Sequence, residues 1–243
     1  MKSKIILLLL YPLLILGNSI LAQNISSEEL LNKSITYHDP NGVWSKLQGK
    51  LEITMTYPDG GKRFSKIEID MPREYFRLTS KKEGITTEQT IAKGECSIKL
   101  NGRTYISEED RKAHRLTCER AMTMKNYYLY LYGLPMKLKD SGTRINPKVK
   151  TKSLKGKDYL VLKVTYDESV GEDTWYFYFD PKTYAMEVYQ FFHDESKKDG
   201  EYVLLEGLES VNGMKIPKKR SWFTNKEKQL LGTDLLTSYK ALN

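Results

Sequence analysis

Apolar and polar residues alternate along the chain from Leu47 to Tyr57, where small or apolar residues fill every second position. A period of two is typical of a β-strand that buries one face and exposes the other. Pro58-Asp-Gly-Gly61 has the composition of a tight turn, and a second alternating run extends from Ser65 to Met71. The pattern therefore predicts two antiparallel strands joined as a hairpin.

Shorter runs of the same kind continue along most of the chain, separated by turn residues such as Asn101-Gly102 and Asn212-Gly213. They predict strands at 75–79, 85–91, 96–100, 160–166, 175–179, 185–192, 201–211, 214–223 and 231–239. Short turns between consecutive strands indicate an antiparallel meander without crossover connections. About nine to eleven strands are too many for a flat sheet, so we expect the sheet to curl into a barrel or half-barrel.

Three segments carry helix signals instead. Ser26 and Glu29 can form a capping box, and Asp39-Pro40 would end the helix that follows. A second helix is predicted to begin at Ser107, with acids in its first turn, and a third to extend from about Glu119 to Tyr132. The predicted fold class is α+β, mainly β, with a curved antiparallel sheet.

The first 22 residues have the features of a secretory signal peptide, because a basic start leads into the apolar run from Ile5 to Leu16. We expect cleavage after Ala22, and no cysteine lies near that point to carry a lipid anchor. An uncleaved membrane anchor is the alternative, but Pro12 interrupts a run that is short of the roughly 20 residues a spanning helix needs. Residues 23–243 are then predicted to form one domain in the periplasm or outside the cell.

Composition limits the partners. The chain has 243 residues, of which 40% are hydrophobic and 29% charged, so it can bury a core. Its 39 Lys and Arg are scattered among 31 Asp and Glu, which argues against nucleic acid as a partner and leaves anionic lipid headgroups open.

In an oxidising compartment, the only two cysteines, Cys96 and Cys118, are predicted to form a disulfide. We expect a monomer.

The sequence has no recognisable catalytic or metal-binding motif. Its three histidines, His38, His114 and His193, would need to converge with carboxylates to hold a metal ion. We therefore expect no metal, no cofactor and no enzymatic activity. An enzyme with an unrecognised site stays open as an alternative.

The segment from Trp175 to Phe179 is aromatic on both faces of its predicted strand. Such a strand either packs between two layers or lines an apolar cavity. The candidate ligand-binding residues are the apolar positions of this strand and of the first hairpin that would share its face: Leu51, Ile53, Met55, Ile67, Ile69, Trp175, Phe177 and Phe179. A candidate polar rim consists of Tyr37, His38 and Asp39, whose structural alternative is the end of the first helix.

The motifs taken together resemble a family of secreted Gram-negative proteins of unknown function. The matching segments are Y-H-D-P at 37–40, Y-G-L-P at 132–135, W-Y-F-Y-F-D-P at 175–181 and V-N-G-M-K-I-P at 211–217. By its order of helix, strands, inserted helices and strands, the chain is also remotely similar to the lipoprotein-carrier half-barrel superfamily. That resemblance implies a curved sheet with helices packed as a lid on its concave face, over an apolar cavity that holds acyl chains.

Two non-enzymatic hypotheses follow. The first is a periplasmic or secreted protein that binds a lipid, an acyl chain or another apolar small molecule in the concavity of the sheet. The second is a protein-interaction module of the cell envelope, whose concavity would be filled by its own side chains. They differ in whether the concave face is open.

Overall fold

The computed structural model of the protein describes residues 25–242. The signal peptide predicted for residues 1–22, with its cleavage after Ala22, lies outside the described residues. None of the helices within 25–242 is both long and apolar enough to span a membrane.

The described chain is dominated by one antiparallel sheet, which curves without closing and runs in the order β5-β4-β3-β2-β1-β13-β12-β11-β10-β9-β8-β6. Its thirteen strands are β1 Gln48–Thr56, β2 Lys62–Asp70, β3 Tyr75–Lys82, β4 Ile85–Ala92, β5 Glu95–Leu100, β6 Thr143–Ile145, β7 Lys150–Leu154, β8 Lys157–Tyr166, β9 Thr174–Phe179, β10 Met186–Phe192, β11 Glu201–Val211, β12 Met214–Thr224 and β13 Leu230–Ala241. Neighbours in the sheet are mostly neighbours in sequence. The exception in the middle is β1, which pairs with β13 and so joins the two halves of the chain.

The predicted fold class is therefore confirmed, with a correction to the number of strands. The sequence predicted about nine to eleven strands, whereas the sheet has thirteen, and the short strands β6 and β7 were not predicted. Both pair with the same edge of β8, and their side chains are half-buried or exposed. Edge strands that face water lack the apolar alternation by which the other strands are recognised.

The described residues form three α-helices: α1 Ser27–His38, α2 Glu108–Ala113 and α3 Cys118–Gly133. The Ser26 hydroxyl caps α1 by accepting the Glu29 amide at 3.1 Å, as the capping-box pattern predicts. Helix α3 packs against β3, β4 and β5, while α1 contacts β12. Buried side chains of both helices, such as Leu31 and Leu131, join the main core, so the helices cover the concave face of the sheet.

The core follows the alternation of the strands. Leu51, Ile67 and Leu78 stand opposite one another on three neighbouring strands and are buried under the helices. On the other side of the sheet, β8, β9 and β10 bury a second, smaller cluster, formed by Tyr159, Val161, Tyr176, Tyr178 and Val188. The aromatic residues on both faces of β9 therefore pack in two separate clusters, one under the helices and one on the outer face.

A disulfide joins Cys96 of β5 to Cys118 at the start of α3, with the two Cα atoms 5.8 Å apart. It holds the first turn of α3 to the edge of the sheet, beside a small apolar cluster that includes Ile98 and Leu116. The pairing is the one that the two cysteines predict in an oxidising compartment.

Removal of this bridge is expected to lower the free energy of unfolding by about 3 kcal/mol, because it closes a loop of 22 residues in the unfolded chain. Urea denaturation of the double variant Cys96→Ala/Cys118→Ala, compared with the oxidised protein, measures this difference. Thiol titration of the exported, denatured, unreduced protein should find no free sulfhydryl. Two reactive thiols, or a variant as stable as the oxidised protein, would contradict the assignment.

Candidate functional site

A cleft of about 1120 Å³ lies between helix α3 and the concave face of the sheet. This is the size of a small-molecule or lipid site, since ligand pockets usually enclose about 300–1,000 Å³. Helix α3 contributes one wall, and strands from both halves of the sheet contribute the other. The apolar and aromatic lining comprises Met55, Tyr127, Leu129, Tyr130, Leu131, Trp175, Phe191, Trp222 and Leu231. We call this feature the concave cleft.

Two of the eight candidate ligand-binding residues, Met55 and Trp175, line the concave cleft. The other six are buried in the main core with at most 3% of their surface exposed, and they are Leu51, Ile53, Ile67, Ile69, Phe177 and Phe179. Seven of the eight, all except Met55, belong to the main core or pack against it, and the helices cover most of that face. A role in ligand binding stays a prediction, and the geometry favours it for the two residues that reach the cleft.

Aromatic stacking shapes the cleft around Trp175. Its ring stacks on Phe191 of the neighbouring strand at 4.9 Å between centroids and on the core residue Phe177 at 5.9 Å. Tyr130 of α3 meets Trp175 edge-on at 5.4 Å, so the helix and the sheet contact each other through aromatic rings. Flat, rigid rings of this kind give an apolar surface that changes little when a ligand binds.

The candidate polar rim does not lie at the concave cleft. Asp39 is buried at the end of α1, where its carboxylate accepts the backbone amides of Val43 and Trp44 at 2.9 Å each. Tyr37 faces a separate depression of about 680 Å³ that runs along α1. The three residues form the structural end of the helix.

His38 is almost fully buried, and both of its ring nitrogens are satisfied by backbone groups. Nδ1 lies 2.7 Å from the Lys215 carbonyl, which can only accept, so Nδ1 carries the proton. Nε2 accepts the Met186 amide at 2.9 Å. Burial lowers the pKa of His38, and the nearby Lys215 charge adds to this effect. His38 is therefore a neutral link between α1 and two strands.

A polar group that the sequence did not predict consists of Arg63, Arg220 and Asp234 together with Tyr132 and Tyr189, and two of its members, Arg63 and Asp234, line the cleft. Asp234 stands beside Arg220 on the neighbouring strand, and Met55 separates Asp234 from Arg63. The Arg220 guanidinium lies 4.0 Å from the Tyr132 ring centre and donates to the Pro217 carbonyl at 2.9 Å. We call these five residues the inner polar cluster.

The inner polar cluster is incompletely hydrogen-bonded. Asp234 Oδ2 accepts from Trp222 Nε1 at 3.1 Å. Within residues 25–242, five other buried atoms of the cluster have no hydrogen-bond partner: Asp234 Oδ1, Arg63 Nε, Arg220 Nε, and the hydroxyls of Tyr132 and Tyr189. Burial raises the pKa of Asp234, although the charges of Arg63 and Arg220 oppose the shift, and burial also raises the pKa of both tyrosines.

One signal in the sequence could have identified this cluster. In β2, Ser65, Ile67 and Ile69 are buried on the face that carries the apolar residues, and one step back in the same phase gives Arg63. Arg220 and Trp222 share a phase in β12 in the same way. A charged residue at a position that strand phase assigns to the interior marks a functional or structural exception to the pattern.

Charged groups nearer the mouth of the cleft are paired. His193 Nδ1 lies 2.6 Å from an Asp173 oxygen, and this hydrogen bond raises the pKa of His193. Lys137 forms an ion pair with Asp140. The hydroxyls of Tyr130 and Tyr166 hydrogen-bond to each other across the cleft wall. In the part of the chain that the structure describes, no three His, Cys, Asp or Glu side chains are grouped so as to hold a metal ion.

Comparison with known proteins identifies the family. The profile of a family of unknown function, DUF6503, matches residues 3–238. The chain belongs to this family. A search of curated proteins finds no match for this DUF6503 protein.

Solved structures show what the DUF6503 fold resembles. A LolA superfamily protein from Nitrosomonas europaea aligns with a TM-score of 0.52 at 10% identity, over 90% of this chain and 94% of that one. A Vibrio parahaemolyticus domain, provisionally assigned as an outer membrane lipoprotein-sorting protein, aligns with a TM-score of 0.51 at 10% identity, over 88% and 92%. A DUF1329 family protein from Desulfovibrio piger aligns with a TM-score of 0.50 at 9% identity, over 88% and 92%. These structural alignments show a shared fold, and it is the fold that the remote similarity of the DUF6503 chain to the lipoprotein-carrier superfamily implies.

Proposed function

We propose that the protein is a non-enzymatic carrier that holds a lipid, an acyl chain or another apolar small molecule in the concave cleft. The observation that carries the proposal is the cleft itself: helix α3 stands off from part of the concave face and leaves about 1120 Å³, in whose lining apolar and aromatic side chains provide most of the surface. A half-barrel filled by its own side chains would favour the interaction module instead. The predicted signal peptide and the Cys96–Cys118 disulfide support a site of action in the periplasm or outside the cell.

The physical chemistry of the lining supports an apolar ligand. Burial of apolar surface contributes about 25 cal/mol per Å², or about 0.8 kcal/mol for each methylene group. Leu129 of α3 offers such surface on the helix side of the cleft, and the stacked pair Trp175 and Phe191 offers it on the sheet side. The likeness in fold to a LolA superfamily protein and to a domain assigned to lipoprotein sorting agrees with this choice of ligand. It is an argument from fold alone.

A bulky side chain at position 55 tests whether the cleft is open. Met55 lines the cleft, while Thr54 points to the opposite face of the same strand. We expect Met55→Trp to reduce the binding of an apolar fluorescent probe, 1-N-phenylnaphthylamine. The free energy of unfolding should fall by less than the overpacking of a filled core would cost, which is about 1–3 kcal/mol. Probe titration and urea denaturation measure the two effects.

Thr54→Trp is the matched control, because it places the same side chain on the other face and should leave probe binding unchanged. The proposal fails if the wild type takes up neither the probe nor any fatty acid or phospholipid while Met55→Trp is strongly destabilised. That combination would indicate a filled core and would favour the interaction module.

A further inference from the structure

Two polar side chains line the concave cleft, and each has one buried polar atom without a hydrogen-bond partner among the described residues. Arg63 of β2 and Asp234 of β13 stand opposite Met55 of β1 from its two sides. Neighbouring strands lie about 4.8 Å apart, so the two backbones are separated by about 10 Å, and long side chains can approach a common point above Met55. Both residues belong to the lining of the cleft.

The unpartnered atoms are complementary in kind. Asp234 is 9% exposed, and its Oδ1 has no donor among the described residues, although Oδ2 is taken by the Trp222 indole. Arg63 Nε is a buried donor that finds no acceptor in the same part of the protein. Buried polar atoms of native proteins are nearly always paired, because desolvating them without a partner is unfavourable. The wall of the cleft thus presents one acceptor and one donor.

Charge decides which ligand group suits this pair. A carboxylate or phosphate would accept from Arg63 but would face the free oxygen of Asp234. An ammonium group would suit Asp234 but would face Arg63, with Arg220 beside Asp234 on the next strand. An uncharged group that both donates and accepts satisfies the two atoms without repulsion from either.

We propose that Arg63 and Asp234 bind the uncharged polar end of an amphiphile, a hydroxyl or amide group, while its apolar tail lies along Trp175 and Phe191. The assignment rests on the proposed function, because it needs a tail to occupy the cleft. It adds a specificity that an apolar cleft alone does not have. In the bound state the ligand accepts from Arg63 Nε and donates to Asp234 Oδ1.

Four amphiphiles of one chain length test this specificity: palmitamide, monopalmitoylglycerol, palmitate and hexadecylamine. Each is titrated against the wild-type protein loaded with 1-N-phenylnaphthylamine. We expect at least one of the two uncharged ligands to displace the probe at a concentration at least about tenfold lower than either charged ligand, since hydrogen bonds to charged groups discriminate on that scale.

The variant Asp234→Asn should change the ranking. It removes the carboxylate that repels an anion and leaves both guanidinium groups in place. The affinity for palmitate should therefore rise about tenfold relative to the affinity for palmitamide. Glu52→Gln is the matched control, because Glu52 is an exposed acid of β1 that does not belong to the lining of the cleft. This control should keep the wild-type ranking.

The results separate the two proposals. Equal displacement by all four amphiphiles would overturn the specificity assigned to Arg63 and Asp234 and would leave the apolar cleft intact. Tighter binding of palmitate or hexadecylamine to the wild type would also overturn it. Failure of every ligand and of the probe to bind would overturn both. The wild-type ranking alone is decisive if Asp234→Asn does not fold.

Discussion

Phe177→Ala is expected to lower the free energy of unfolding by about 3–5 kcal/mol, the usual cost of removing a fully buried aromatic ring. Phe177 has no exposed surface, and it stands between Leu162 and Tyr189 on the neighbouring strands. The cavity left behind would be enclosed by the sheet and by the helices that cover it, so the surroundings can relax only in part. Urea denaturation with a constant m-value measures the loss.

Phe191→Ala is the matched comparison. Phe191 is the same residue type on the adjacent strand, but it is only half-buried and it lines the concave cleft. We expect a smaller loss of stability than for Phe177→Ala and weaker binding of the apolar probe. Equal losses of stability, with probe binding unaffected in the Phe191 variant, would mean that the cleft is part of a solid core.

His38→Leu is expected to destabilise the protein at pH 7.5 by about 2–6 kcal/mol, because the Lys215 carbonyl and the Met186 amide would each lose a buried partner, at about 1–3 kcal/mol apiece. The loss should also depend on pH. Burial lowers the pKa of His38 in the folded protein below its ordinary value of about 6.5. Below that value the unfolded chain takes up a proton that the folded protein resists, so wild-type stability falls as the pH is lowered.

The leucine variant lacks this titration. The difference in stability between wild type and variant should therefore narrow from pH 7.5 to pH 5.5, as measured by urea denaturation at both values. His193→Gln is the control, because the hydrogen bond from His193 to Asp173 raises the pKa of His193. This group stabilises the folded protein at acid pH, so the difference in stability between wild type and His193→Gln should widen as the pH is lowered. A gap between wild type and His38→Leu that stays constant would contradict the buried, neutral state of His38.

The strands of the sheet were predictable where one face is buried. The alternation from Leu47 to Tyr57 overlaps β1 closely, and the run at 160–166 predicted β8 on the same physical basis. Strand β9 was predicted from a different signal, because its aromatic residues are buried on both faces. Strands β6 and β7 were not predictable in this way. Residues 143–145 and 150–154 lie at an edge, face water, and have no buried side to select an apolar period.

The candidate site was predictable only in part. Strand phase places Leu51, Ile53 and Met55 on one face, but only the packing of α1 and α3 decides which of them is covered and which reaches the cleft. The approach of Arg63 to Asp234 depends on the pairing of β1 with β13, which joins distant parts of the chain. Strand phase can mark Arg63 as a charged residue at an interior position, but local patterns carry no information about which distant residues it meets.

Native mass spectrometry of the protein purified from cells that export it tests the central claim most directly. The account predicts a species heavier than the oxidised mature polypeptide by the mass of one lipid or other apolar molecule, which organic extraction releases and which is reduced in Met55→Trp. A spectrum that contains only the polypeptide, from a protein that also takes up no apolar probe, would contradict a carrier function for the concave cleft.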